Sequence, residues 1–288
     1  NRLFQIADSA GRLYECEYQS PYPERVSAVL WKNAPGTAQT LVSYEYDTQG
    51  RLSQVINTLG EISRHFTWHD NGAGKNLMQS HRLPTGLQSQ YEWVQLEHDP
   101  HPRVMRNFNN MGQNWQAHYT LPSAEQTTSN QALGKTEVVD HLGRKQTWYW
   151  NERYQICSWE DAQGHRWEMQ WNAEGLLSQC KQPNGGVWQF EYDSNGNLCK
   201  ETNPLGHTEQ TLWRQDLPLP LKETDTQGHI TEYEYDHKGN LQTEITPAGT
   251  TRYVRDQYGQ VTRIKDAQGL EKQLMWRSDG QLALYIDC

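Results

Sequence analysis

No stretch of the sequence approaches the roughly 20 consecutive apolar residues that a membrane-spanning helix needs. Phenylalanine is scarce, with 4 residues against 12 Trp and 15 Tyr, so the large side chains mostly carry a polar atom that must be satisfied. Apolar residues make up 35% of the chain and the mean hydropathy is -0.96, which suits a sheet with one packed face better than a thick core. Basic residues are in deficit: 26 Lys and Arg against 35 Asp and Glu leave a net charge of -9. That balance excludes the basic face of a nucleic-acid binder and disfavours adhesion to an anionic membrane. No helical 3.6-residue period runs through the 288 residues. The chain starts at Asn1 without a Met, a basic segment or an apolar leader, and is expected to begin inside a longer, secreted or surface-displayed protein. Cysteines are few and unpaired in pattern: Cys16, Cys157, Cys180, Cys199 and Cys288 are odd in number and have no Cys-x-x-Cys spacing. In a meander Cys157, Cys180 and Cys199 fall two strands apart, about 10 Å. A disulfide needs Cα atoms within about 7 Å, so reduced thiols are expected.

What the chain does have is a repeat. Tyr233-Glu234-Tyr235-Asp236-His237-Lys238-Gly239-Asn240-Leu241 returns as Tyr44 to Leu52 and as Phe190 to Leu198. Turn-like glycines stand at Gly143, Gly164, Gly175, Gly186, Gly196, Gly206, Gly228, Gly239, Gly249, Gly259, Gly269 and Gly280. Successive members differ by 10 or 11, except two steps of 21 and 22 that predict glycine-free turns at Asn151–Tyr154 and Arg214–Pro218. Three residues earlier stands an Asp or Asn in most copies, among them Asp140, Asp193, Asn203 and Asp236. Asp or Asn first and Gly fourth is the preference of a type I turn, so these acids are turn chemistry rather than catalytic groups.

Four residues before alternate glycines stands an aromatic: Tyr46, Trp68, Trp171, Tyr192, Tyr235 and Trp276, with Trp150 and Trp213 before the glycine-free turns and Arg255 as the exception. Two residues earlier, on the same face of a strand, come Tyr44, Phe66, Trp148, Met169, Phe190, Tyr233, Tyr253 and Leu274. Past the turn, Leu52, Ile156, Leu177, Leu198, Leu219, Leu241, Val261 and Leu282 form an aliphatic row. The pattern predicts an all-β antiparallel meander of hairpins of about 21 residues, with aromatic and aliphatic stripes crossing the strands. At about 10.5 residues per strand the chain holds on the order of 27 strands, roughly 130 Å of sheet. So wide a sheet must curl. It would go about once around a cylinder some 40 Å across, too little to close a cavity.

Residues 1–72 read as N-terminal repeats, 73–139 as diverged repeats with longer loops, and 140–288 as regular repeats, all in one continuous sheet. Loops are expected at Lys32–Gly36, His98–Arg103 and Pro122–Asn130. The residues expected to define the repeat are Tyr46, Asp47, Gly50, Trp171, Gly175, Tyr192, Asp193, Gly196, Tyr235, Asp236, Gly239, Trp276 and Gly280.

The Tyr-Asp pairs Tyr46-Asp47, Tyr192-Asp193 and Tyr235-Asp236, set in aromatic-x-aromatic-Asp-x-x-Gly-x-Leu, resemble the YD repeats of the Rhs family. The resemblance implies a β-sheet that spirals into a hollow shell. In bacterial members the shell encloses a C-terminal toxin segment delivered to rival cells, often by type VI secretion. Related repeats occur in insecticidal toxin complexes, wall-associated bacterial proteins and teneurins. The family's self-cleavage motif, Asp-Pro-x-Gly-Leu, does not occur: Asn203-Pro204-Leu205-Gly206 begins with Asn, and Asp99-Pro100 continues as His101-Pro102. The chain therefore resembles part of a shell wall. The implied partners are the rest of the same polypeptide and secretion components.

No other motif competes. His65 and His69 would lie ~13 Å apart on a strand, too far to share a metal. His98, Asp99 and His101 are neighbours in a loop, and Glu168, Glu191, Glu232 and Glu234 show no sign of burial. No P-loop, Gly-x-Ser-x-Gly or dinucleotide fingerprint is present, and no catalytic residue, metal or cofactor is assigned. The alternative is a carbohydrate- or surface-binding module that uses Trp148, Trp150, Trp171, Trp213 and Trp276 as sugar platforms. Their recurrence in phase with the repeat favours packing. An enzyme in Ala73–Gln131 would have no motif behind it.

Overall fold

The structure, a computed structural model, describes residues 2–8, 11–19, 21–32, 37–121, 133–277 and 280–287. The turn expected at 33–36, the loop at 122–130 and Cys288 lie outside these residues. Among the described residues there are 25 β-strands and no helix. The count falls slightly below 27 because some connections, such as 69–77 and 95–102, are longer than a tight turn. Two compact units divide the chain, one of Asn1–Asp8 and Arg12–His165, the other of Ser9–Gly11 and Arg166–Cys288.

The first unit carries 13 strands, β1 (Gln5–Ala7) to β13 (Ile156–Glu160), each antiparallel to its sequence neighbours. The second carries 12, β14 (Arg166–Trp171) to β25 (Leu282–Ile286), in the same meander. Within each unit the described strands touch only the strands before and after them. No second layer covers either unit among the described residues. The apolar side chains that are buried, Cys16, Ala28, Ala117, Trp150 and Cys157, all belong to the first unit. Along β14, β20 (Ile230–Tyr235) and their equivalents, exposed and half-buried residues alternate. Trp167, Met169 and Trp171 take the sheltered face, and so do Tyr233 and Tyr235, while Glu232 and Glu234 stand in solvent. Cys16, Cys157, Cys180 and Cys199 are free thiols.

The turns are three-residue loops, tighter than the four-residue unit the sequence suggests. Asp236 N–H donates to Asn240 O (2.9 Å) and Gly239 N–H to Asp236 O (3.1 Å), so Asp236 and Asn240 close the loop as a strand pair. Gly239 has φ +84°, the left-handed residue that follows a type I turn and lets the strands re-pair. The glycine-free turn at Asn151 has the same geometry, with Tyr154 itself at φ +57°. At Arg214 the loop is one residue longer and closes on Leu219 (2.9 Å). That shift makes Pro220, and not Leu219, the residue opposite Trp213.

Two glycines depart from their expected roles. In Gln182–Gly186 the left-handed residue is Gly185 (φ +86°), and Gly186 is the closing strand residue. Gly249 pairs with Thr246 across a two-residue loop of Pro247 and Ala248, so it opens a strand.

Candidate functional site

The site in this chain is a repeated one: a turn, a bulge and a side-chain clasp, built from the same residue types each time. In the copy at Tyr235, Asp236 Oδ1 accepts the backbone N–H groups of Lys238 and Asn240, both at 2.8 Å. Its Oδ2 accepts the Asn240 amide at 2.8 Å. These donors, the Asn240 side chain first, hold the carboxyl below the usual range for aspartate. Asp193 is bound in the same way by Asn195, and by the backbone and side chain of Asn197, and is lowered for the same reason. Asp47 binds Gln49 and Arg51, and Arg51 also reaches Asp70 at 2.8 Å. Gly50 (φ +75°) answers a second demand, since a Cβ there would come 2.9 Å from the Tyr22 ring, whose hydroxyl donates to Asp47 O.

The bulge lies beside the turn. The register runs Glu234 opposite Thr243 and then Tyr235 opposite Leu241, so Gln242 is an extra residue and Tyr235 is turned out of the simple ladder. Tyr46 meets Leu52, Trp171 meets Leu177, Tyr192 meets Leu198 and Trp276 meets Leu282 across the same shift. The aromatic and aliphatic stripes thus face each other in pairs.

The clasp is the part sequence reasoning missed. Strand β19 (Pro220–Thr224) pairs with β20 over only three rungs, Lys222–Glu232 to Thr224–Ile230, and Pro220 O is left beyond the last one. The Tyr235 hydroxyl donates to it at 2.8 Å. The same bond, 14 to 20 residues back in sequence, recurs through both units. Tyr46 donates to Val26 O (2.7 Å), Trp68 to Leu52 O (2.7 Å), Tyr192 to Leu177 O (2.8 Å), Trp213 to Leu198 O (2.7 Å) and Trp276 to Val261 O (2.7 Å). Arg255, the exception in the aromatic row, donates to Leu241 O through Nε (3.3 Å) and Nη2 (3.1 Å). The position therefore selects a long side chain with an N–H or O–H, which Phe lacks. Burial raises the phenol pKa values of Tyr46, Tyr192 and Tyr235, so these groups stay protonated as donors.

Two further clasps lie where the sequence phase blurs: Trp93 to Met78 O (2.8 Å) and Tyr119 to Val104 O (2.6 Å). The signal for them was an aromatic 15 residues after an apolar strand start, hidden by the irregular loops between. Gly175, Gly196 and Gly280 hold φ values of +84°, +84° and +82° and bond back to Asn172, Asp193 and Arg277.

The loop histidines are not brought together for chemistry. Asp99, with its side chain 1% exposed, binds Arg103 Nε (2.7 Å) and His101 N–H (3.0 Å), and the Arg103 bond is the main reason its pKa is lowered. His98 points into solvent, and His69 bonds Tyr91 O through Nε2 (3.0 Å). Among the described residues no group of three His, Cys, Asp or Glu is placed to hold a metal ion.

This geometry agrees with what the chain is similar to. The RHS Repeat family matches residues 171–208 and 219–251, which contain the Tyr192 and Tyr235 copies. Those two stretches are Rhs repeats. It is 35% identical over 95 residues to double-stranded DNA deaminase toxin A of Burkholderia cenocepacia, a match covering 33% of this chain and 6% of that protein. It is 27% identical over 159 residues to toxin protein Tse5 of Pseudomonas aeruginosa, covering 49% of this chain and 11% of Tse5. The solved structure of TcdB2-TccC3-TEV shares the fold, with a TM-score of 0.57 at 11% identity over 96% of this chain and 18% of that one. The Rhs/YD repeats seen here thus span a small part of the length of each relative.

Proposed function

We propose that this chain is a length of wall in an Rhs shell that encloses a toxin segment of the same polypeptide and carries it out of a bacterium to a competitor, with secretion components such as a type VI apparatus as partners. The segment itself is structural and performs no reaction; Tyr46, Tyr192, Tyr235 and Trp276, with their turns, hold the wall together. The observation that carries this reading is that, among the described residues, each unit is a meander that no second layer covers. A sheet normally buries one face against another element. Here the second unit has no buried apolar side chain among its described residues. Such a sheet fits a structure completed by the rest of its polypeptide. At the turn tips of the first unit Leu59, Met111 and Leu142 are exposed, as further polypeptide would require. The relatives named as toxins support the kind of cargo.

Limited proteolysis of the full encoded polypeptide tests the proposal. Polypeptide outside residues 1–288 is expected to resist protease while the wall is intact and to become cleavable when Tyr192→Ala and Tyr235→Ala open the clasps on either side of Trp213. Equal cleavage before and after would contradict enclosure.

A further inference from the structure

Asparagine followed by glycine occurs three times, at Asn71-Gly72, Asn184-Gly185 and Asn195-Gly196. The glycine is left-handed in each, with φ of +71°, +86° and +84°. Hydrogen bonding separates the three. Gly185 N–H donates to Gln182 O (2.9 Å), and Asn184 Oδ1 accepts from Gly186 N–H (2.9 Å). Gly196 N–H donates to Asp193 O (3.1 Å), and the Asn195 amide donates to Gln215 O (3.2 Å). In both of these repeat turns the glycine nitrogen and the asparagine side chain are engaged.

Asn71-Gly72 stands outside the repeat turns, in the long connection 69–77. Both residues are exposed, and among the described residues neither the Asn71 side chain nor the Gly72 N–H has a hydrogen-bond partner. The flanks of the connection are fixed. Asp70 binds Arg51 Nη2 (2.8 Å), and Asn76 N–H donates to His69 O (2.8 Å). Gly74 is buried so closely that a Cβ there would lie 2.8 Å from Trp93 Cδ1 and 2.9 Å from His69 Cδ2. A free carboxamide and a free backbone nitrogen thus stand side by side in water, between anchored flanks.

We infer that Asn71 is a self-modification site, converted to aspartate and isoaspartate by attack of the Gly72 nitrogen. That nitrogen bonds to Asn71 Cγ, the C–N bond of the carboxamide breaks, and the side-chain nitrogen leaves as ammonia with the proton that Gly72 gives up. Water then opens the cyclic imide at either carbonyl. One opening gives aspartate. The other gives isoaspartate, which routes the main chain through Cβ and Cγ and lengthens it by one carbon. Either product adds a negative charge beside Asp70. Glycine suits the step because no Cβ crowds the approaching nitrogen. At Asn184 and Asn195 the same ring closure requires rotation out of a turn whose hydrogen bonds resist it. The inference stands apart from the wall reading, since it concerns a connection and not the repeat.

The test is peptide mapping by mass spectrometry of the chain aged at neutral pH, once folded and once unfolded in urea, with isoaspartate marked by enzymatic methylation. In the folded chain Asn71 is expected to convert about tenfold faster than Asn184 or Asn195, which must first break turn bonds. In urea the three rates should converge, because the turns are gone. Gly72→Ala, which places a Cβ beside the attacking nitrogen, should slow conversion at Asn71 and leave the other two sites unchanged. Its urea arm gives that comparison even where the variant does not fold. The inference is overturned if Asn71 converts no faster than the other two in the folded chain, if its lead persists in urea, or if Gly72→Ala leaves its rate unchanged.

Discussion

At the residue scale the acids of the turns are consumed by the backbone. Asp236 accepts two backbone N–H groups and one amide, and that is why its pKa falls. A lowered folded pKa means the turn contributes fully above the ordinary aspartate value, about 3.9, and loses that contribution as pH falls through the depressed value. Asp236→Asn keeps the Oδ1 acceptor, as the natural turns at Asn57, Asn109 and Asn203 do. It should stay close to the parent at pH 7 and show a shallower loss of urea midpoint below pH 4, whereas Asp236→Ala should lose stability at both. Equal acid limbs in parent and Asn variant would contradict the assignment. Gly239 is the other fixed point: at φ +84°, an added Cβ would sit 3.2 Å from Leu217 Cδ1 and 3.3 Å from Leu219 Cδ1. Gly239→Val should cost about 2 kcal/mol in urea unfolding. A variant that unfolds no more readily than the parent would put the hairpin register in doubt.

At the element scale the unit is two strands joined by a bulged, clasped end. The ladder between hairpins stops after three or four rungs, three in Gln179–Gln189 to Lys181–Val187, and a side chain from the next turn supplies the missing bond. Tyr192→Phe and Tyr235→Phe keep the ring and remove only the donor. Each should lower stability by about 1 kcal/mol, and the double variant should lose close to the sum because the two clasps lie in separate hairpins. No loss in either single variant, by urea denaturation, would show the clasp to be incidental. Strand order, turn position and the facing stripes were legible in the sequence because period-two alternation and Asp-x-x-Gly spacing are local. The clasp was not, since its acceptor is a backbone carbonyl on another strand and carries no residue signature. The scarcity of Phe was its trace: the clasp position takes Tyr, Trp or Arg, and the 4 Phe residues fall elsewhere.

At the scale of the whole molecule, contacts are confined to neighbouring strands, so stability is a sum of hairpins and the bonds between them. That suits a wall and leaves large apolar side chains in water. On the face opposite the aromatic row, Leu212, Val254, Met275 and Leu284 are exposed in the second unit. If the rest of the polypeptide completes the shell, one face must be sheltered by it along its length. Hydroxyl-radical footprinting of the full polypeptide against the 288-residue chain measures this directly. The account predicts that the full polypeptide loses reactivity on one face only, either along Leu212, Val254, Met275 and Leu284 or along Tyr192, Trp213, Tyr235 and Trp276. Equal reactivity of both faces in the two samples would contradict it.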